Sequence, residues 1–149
     1  MKTVVRSAQV LVNAPLQVTF DYVSDLTKHP EWSGGELKIE ALSSGPIGIG
    51  KEYHSKGEVA IQKDRPNRLR VTRYEPPHRF GFVANDPDFG DVSHEFTFTE
   101  QSGGVLVTRA MTLTLNPMIA FMFQYFIFPF IGKPATVKSL AALKAKLGR

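Results

Sequence analysis

Two side chains that could carry charge or move a proton sit where the sequence pattern calls for apolar ones. Along VSHEFTFT, residues 92–99, the types alternate: Val92, His94, Phe96 and Phe98 share one face of a strand, and Ser93, Glu95, Thr97 and Thr99 share the other. In VLVTRAMTLTL, residues 105–115, the corresponding apolar face holds Val105, Val107, Arg109, Met111, Leu113 and Leu115. An imidazole can give or take a proton near neutrality, whereas a guanidinium stays charged and only donates. A lone charge among such neighbours is costly, so Arg109 needs a partner, a water-filled space or an exit at the strand end. A paired carboxylate, or a bulge that turns the side chain out, would meet that need. His94 reads as a hydrogen-bonded core imidazole, as a polar handle on a cavity wall, or as a proton-transfer group.

Other chemistries find less support. The chain has no cysteine, hence no disulfide, no thiol nucleophile and no cysteine-held metal. His29, His54, His78 and His94 fall on separate elements with no His-x-His or His-x-x-x-His spacing, so neither a metal nor a cofactor is expected. There is no Gly-x-Ser-x-Gly elbow, and Gly45-Pro46-Ile47-Gly48-Ile49-Gly50 lacks the Lys-Ser/Thr of a phosphate loop; Gly48 and Gly50 read as a bend in the sheet. The net charge of +4, from 18 Lys+Arg against 14 Asp+Glu, is mild. Its cations gather between Lys63 and Arg79 and again at Lys133, Lys138, Lys144, Lys146 and Arg149, as solvated faces and helix ends do. No basic-aromatic motif points to nucleic acid. The opening MKTVVRSAQVLVNAP has no apolar run of signal-peptide length, so the expected location is the cytoplasm.

The elements that must position His94 and Arg109 follow from periodicity. At 149 residues, 42% hydrophobic and 21% charged, the chain suits one folded domain. Residues 3–12 read as a strand. Asn13 or Ala14 caps a helix with Pro15 in its first turn, and Val18, Phe20, Tyr22, Val23 and Leu26 form its apolar stripe. A short helix or turn covers 25–31. From Glu36 to Leu115 the period is two, with strands expected at 36–43, 50–57, 58–64, 67–75, 78–85, 91–100 and 103–115. A single bent strand across Gly57 is an equal alternative. In this pattern Leu69, Val71 and Arg73 share one face, and Phe80 and Phe82 another. The separating turns are 43–46, Arg65-Pro66-Asn67, 75–78, 85–88 and 102–104, short enough for antiparallel hairpins. Asn116-Pro117 opens a last helix running to about Leu147, interrupted at Pro129 and at 132–134. The order implies an α+β fold with a curved antiparallel sheet covered by a helix.

That last helix contains MIAFMFQYFIFPFI, residues 118–131, with five phenylalanines and no charge. The uncharged run from Asn116 to Gly132 spans 17 residues, roughly 25 Å as a helix, against the ~20 residues a membrane span needs. Gln124 and Pro129 interrupt it. It reads as a core or cavity-covering helix, with a homodimer or peripheral membrane contact as the alternative.

The motifs along the chain resemble a known family. Ala14-Pro15, then Phe20, Asp21, Tyr22, Val23 and Asp25, then Pro30-Glu31-Trp32, look like the opening of the START-like superfamily, in its polyketide-cyclase/dehydrase and lipid-transport branch. Gly48-Ile49-Gly50-Lys51-Glu52-Tyr53, the Tyr74-Glu75-Pro76-Pro77-His78-Arg79-Phe80 turn and Gly103-Gly104 continue the likeness across the whole chain. The resemblance implies a helix-grip fold, a seven-stranded antiparallel sheet around a long C-terminal helix with a hydrophobic cavity between them. The aromatic density of 121–130 departs from the charge common there in the family. A hydrophobic small molecule, lipid or polyketide-like, is then the expected partner. Its wall would come from Trp32, Tyr53, Phe80, Phe82, His94, Phe96, Arg109 and Met111 on the sheet side, and from Phe121, Met122, Tyr125 and Phe128 on the helix. A cyclase or dehydratase is the alternative, with His94 as acid/base and Arg109 or Tyr53 steadying a developing oxyanion.

Overall fold

The computed structural model describes residues 2–32, 37–59, 62–86, 90–115, 118 and 133–147. Seven strands form one antiparallel sheet: β1 (Lys2–Val12), β2 (Leu37–Ala41), β3 (Glu52–Val59), β4 (Gln62–Glu75), β5 (Arg79–Asp86), β6 (Gly90–Gln101) and β7 (Gly104–Leu115). Helix α1 (Leu16–Ser24) and a 3-10 helix (Leu26–Glu31) follow β1, and helix α2 (Lys133–Leu147) comes last. The strand order β1-β7-β6-β5-β4-β3-β2 follows the sequence except that β1 pairs with β7. That closure places β6 and β7 in the sheet interior, where both edges of each are paired and the alternate face can be buried. Among the described residues, no helix is long and apolar enough to cross a membrane.

The inward face is the one that alternation indicates. Val92, Phe96, Phe98, Val105, Val107 and Leu113 are buried, together with Leu69, Val71, Phe80 and Phe82 from β4 and β5. Phe20, Val23 and Leu26 cover one end of this face, and Leu140 and Leu143 of α2 join the same core, with α2 packed on β1. Fixed at both ends, the sheet presents its aromatic middle to whatever lies between.

Four local expectations are corrected. Arg65-Pro66-Asn67 is not a turn but lies inside β4, which pairs with β3 at Lys56↔Pro66. Pairing of β4 with β5 stops at Arg68↔Asn85, so Pro66 lies where β4 has only one partner strand and a missing N–H is tolerated. Of the expected strand 58–64, residues 62–64 are therefore continuous with 67–75 in β4, while 58–59 stay with Gly57 in β3. Arg73 leaves the Leu69/Val71 face because the register shifts between Val71 and Arg73. A bulge turns it outward, where its Nε meets Glu95 Oε2 at 3.2 Å and Nη1 meets Glu75 Oε2 at 3.0 Å. Gly81, opposite both Arg73 and Glu95, leaves room for that carboxylate, since a Cβ there would stand 2.7 Å from it.

The remaining two concern the helix after β1. It is capped by Pro15 rather than Asn13 or Ala14, with Thr19 N–H and Oγ1–H both donating to the Pro15 carbonyl. Val18 stands 51% exposed, because it lies about 200° around the helix from Phe20; Thr19 takes the buried place instead.

Candidate functional site

His94 and Arg109 belong to adjacent rows of the inward face. Register pairs Phe82 with His94 and His94 with Met111, while the next row pairs Phe80 with Phe96 and Phe96 with Arg109. The imidazole of His94 stacks on Phe82, centroids 4.7 Å apart. The guanidinium of Arg109 lies over the Phe96 ring at 5.4 Å, a cation–π contact, and its Nη2 is 3.1 Å from His94 Nδ1. A guanidinium has only donors, so His94 Nδ1 accepts and the ring's hydrogen resides on Nε2. Arg109 thus faces neither a carboxylate nor a bulge; its partner is an imidazole, with no ion pair to it among the described residues.

A third polar group, one not among the expected site residues, arrives from above. The 3-10 helix turns once per three residues, so Leu26, His29 and Trp32 fall on one side, and all three are buried. Asp25 caps this helix by accepting from Thr27 N–H at 3.1 Å, and Tyr22 Oη donates to Glu31 at 2.8 Å, tying it to α1. Burial, and then Glu31, push that phenol upward. The ring of His29 meets Trp32 edge-on at 4.2 Å and approaches Phe82 at 5.9 Å and Phe96 at 6.2 Å. The i, i+3 spacing of His29 and Trp32 is the sequence signal for this contact, visible only once the segment is read as 3-10 rather than α.

The electrostatics are those of one cation in a half-buried aromatic setting. Burial, followed by the charge of Arg109, holds both His29 and His94 well below the usual imidazole range. Burial lowers Arg109 itself to about 10. At neutral pH the cluster therefore carries one positive charge and two neutral rings. Three of its buried atoms, His29 Nε2, Trp32 Nε1 and Arg109 Nε, have no hydrogen-bond partner among the described residues. Their side chains all border Phe96.

The other candidates fall in different places. Phe80 is buried against Phe82 and Phe96 and extends the same aromatic wall. Met111 is half-buried beside His94. Tyr53 is buried but sits against Leu69, in a row remote from Arg109. Burial, then the charge of Asp25 and the neighbouring Tyr74, raise its phenol to about 12. Phe121, Met122, Tyr125 and Phe128 lie outside the described residues, as does the rest of 119–132.

Known proteins bear on this geometry in two ways. The profile of the family described as polyketide cyclase/dehydrase and lipid transport matches residues 3–148. No curated protein matches the sequence. Among solved structures, the Zhui aromatase/cyclase of Streptomyces sp. R1128 superposes with a TM-score of 0.77 at 14% identity, covering 98% of this chain and 94% of that one. TTHA0849 of Thermus thermophilus gives 0.75 at 16% identity, over 96% of each chain. Ara h 8.0201 gives 0.71 at 14% identity, over 98% of each. At these identities the likeness is one of fold, and the fold is the helix-grip.

Proposed function

The chain belongs to the polyketide cyclase/dehydrase and lipid-transport family, and from that premise we propose that it binds a hydrophobic small molecule, a lipid or an aromatic polyketide-like compound, against the inward face of its sheet. The observation that carries this reading is the trio of buried polar atoms around Phe96 that have no partner among the described residues. Left unpaired, each costs on the order of 1–3 kcal/mol; a ligand with polar atoms at one end recovers that cost on binding. Phe80, Phe82 and Phe96 supply the apolar wall, and Arg109, His94, His29 and Trp32 the few polar groups that orient a guest.

Solved neighbours include an aromatase/cyclase, which makes turnover the rival reading. The Arg109–His94 hydrogen bond favours binding over a cyclase that uses His94 as a base. With Nδ1 engaged by Arg109 and Nε2 already protonated, the ring has no free lone pair, and its depressed basicity opposes a second proton. Native mass spectrometry of the purified protein with a mixed lipid and aromatic library tests the proposal. Retention of a stoichiometric apolar ligand is expected, and a protein that holds none contradicts it. If turnover of a polyketide-like substrate is found and His94→Ala abolishes it with binding intact, the cyclase reading replaces this one.

A further inference from the structure

The donors in the cluster also specify the polar end of the guest, an inference that rests on the binding reading above. Arg109 Nε and Trp32 Nε1 are donors with no capacity to accept, and both are buried without a partner among the described residues. His94 has committed its lone pair to Arg109, which leaves its Nε2–H as a third donor. His29 Nε2 can serve either way. Against these donors the described residues set no acid: Glu52 pairs with Arg68, and Glu75 and Glu95 pair with Arg73 on the outer face. The cluster is therefore rich in donors and carries one uncompensated positive charge.

We propose that the guest is an apolar organic acid whose ionised carboxylate is held by Arg109, Trp32 and His94. Two carboxylate oxygens offer about four lone-pair sites, enough for every donor in the cluster. The single negative charge cancels that of the guanidinium, and the hydrogen bonds become charge-assisted. A neutral carbonyl would engage some of the donors but leave the buried charge standing. An ammonium would add a second positive charge and offer no lone pair. Arrival of an anion would also offset the charge of Arg109, which adds to burial in depressing both imidazoles.

The test uses the chain's single tryptophan, Trp32, as a fluorescent reporter inside the cluster. Dodecanoate, methyl dodecanoate and dodecylamine share one tail and differ in the head; naphthoate and its methyl ester repeat the comparison on an aromatic body. The acids should bind at least about tenfold tighter than their esters, with the amine weakest. Arg109→Met should abolish the preference for acid over ester, and Arg109→Lys should retain part of it. Equal affinity of acid and ester in the unmodified protein overturns the carboxylate assignment and leaves the hydrophobic site standing. So does an Arg109→Met protein that keeps its preference. If none of the five compounds binds, both the assignment and the binding reading fall. Should Arg109→Met not fold, the acid–ester comparison in the unmodified protein still decides.

Discussion

At the scale of single residues, Arg109 is a poor choice for stability, and this is the sense in which it belongs to a site. Its charge is buried over Phe96 with an imidazole as partner, an arrangement in which desolvation outweighs what it gains. Arg109→Met should therefore raise the stability of the free protein, by about 1 kcal/mol or more, as read from urea unfolding. A loss of stability would mean that the guanidinium is structural. The imidazoles make a second prediction. His29 has a folded-state pKa depressed below its unfolded value near 6.5, so the unfolded chain binds the proton first as pH falls. Stability is complete above that value and declines below it, at up to about 1.4 kcal/mol per pH unit from this ring. His94, slightly more exposed, acts in the same direction. Unfolding midpoints at neutral and acid pH should show the decline in the unmodified protein and a shallower one in His29→Phe. The inward placement of His94 and Arg109 was legible from alternation alone. His29 was not, because its relation to the sheet depends on a 3-10 turn and on contacts distant in sequence.

At the scale of elements, the strands were legible wherever the period of two ran without interruption, as in β6 and β7. Where the backbone departs from that period the pattern misleads. The bulge near Arg73 shifts the phase by one residue, and nothing in Leu-Arg-Val-Thr-Arg marks it. Pro66 imitates a turn because a proline is compatible with either a turn or a strand segment with one free edge. The helix after β1 illustrates the same limit: Val18 is as apolar as Val23, and only the angle around the helix separates them. The tight β6–β7 hairpin gives the test at this scale. Ser102 and Gly103 both take positive φ, 51° and 78°, and a Cβ on Gly104 would collide with the Val12 carbonyl oxygen. That oxygen is backbone and cannot swing away as a side chain could, so Gly104→Ala should cost about 1–3 kcal/mol in unfolding free energy. Val18→Ser, on the exposed side of α1, should change it by less than about 0.5 kcal/mol. Comparable effects for the two would contradict the packing described here.

At the scale of the whole molecule, the helix-grip arrangement explains why the polar cluster is where it is. Closing β1 onto β7 makes β7 an interior strand beside β6, and the 3-10 helix after α1 brings His29 and Trp32 down onto their aromatic face. Composition and motif order were enough to imply that architecture; they could not imply which polar side chains would meet, since His29, His94 and Arg109 come from three separate elements. What the cluster does depends on whether a guest engages those side chains. The most direct measurement is the indole N–H resonance of Trp32, the only one of its kind in the chain, followed by proton–nitrogen correlation while dodecanoate or naphthoate is added. Engagement of the unpartnered Nε1–H predicts a saturable downfield shift of that resonance. A resonance that stays put, whether the acids fail to bind or bind somewhere else, contradicts it.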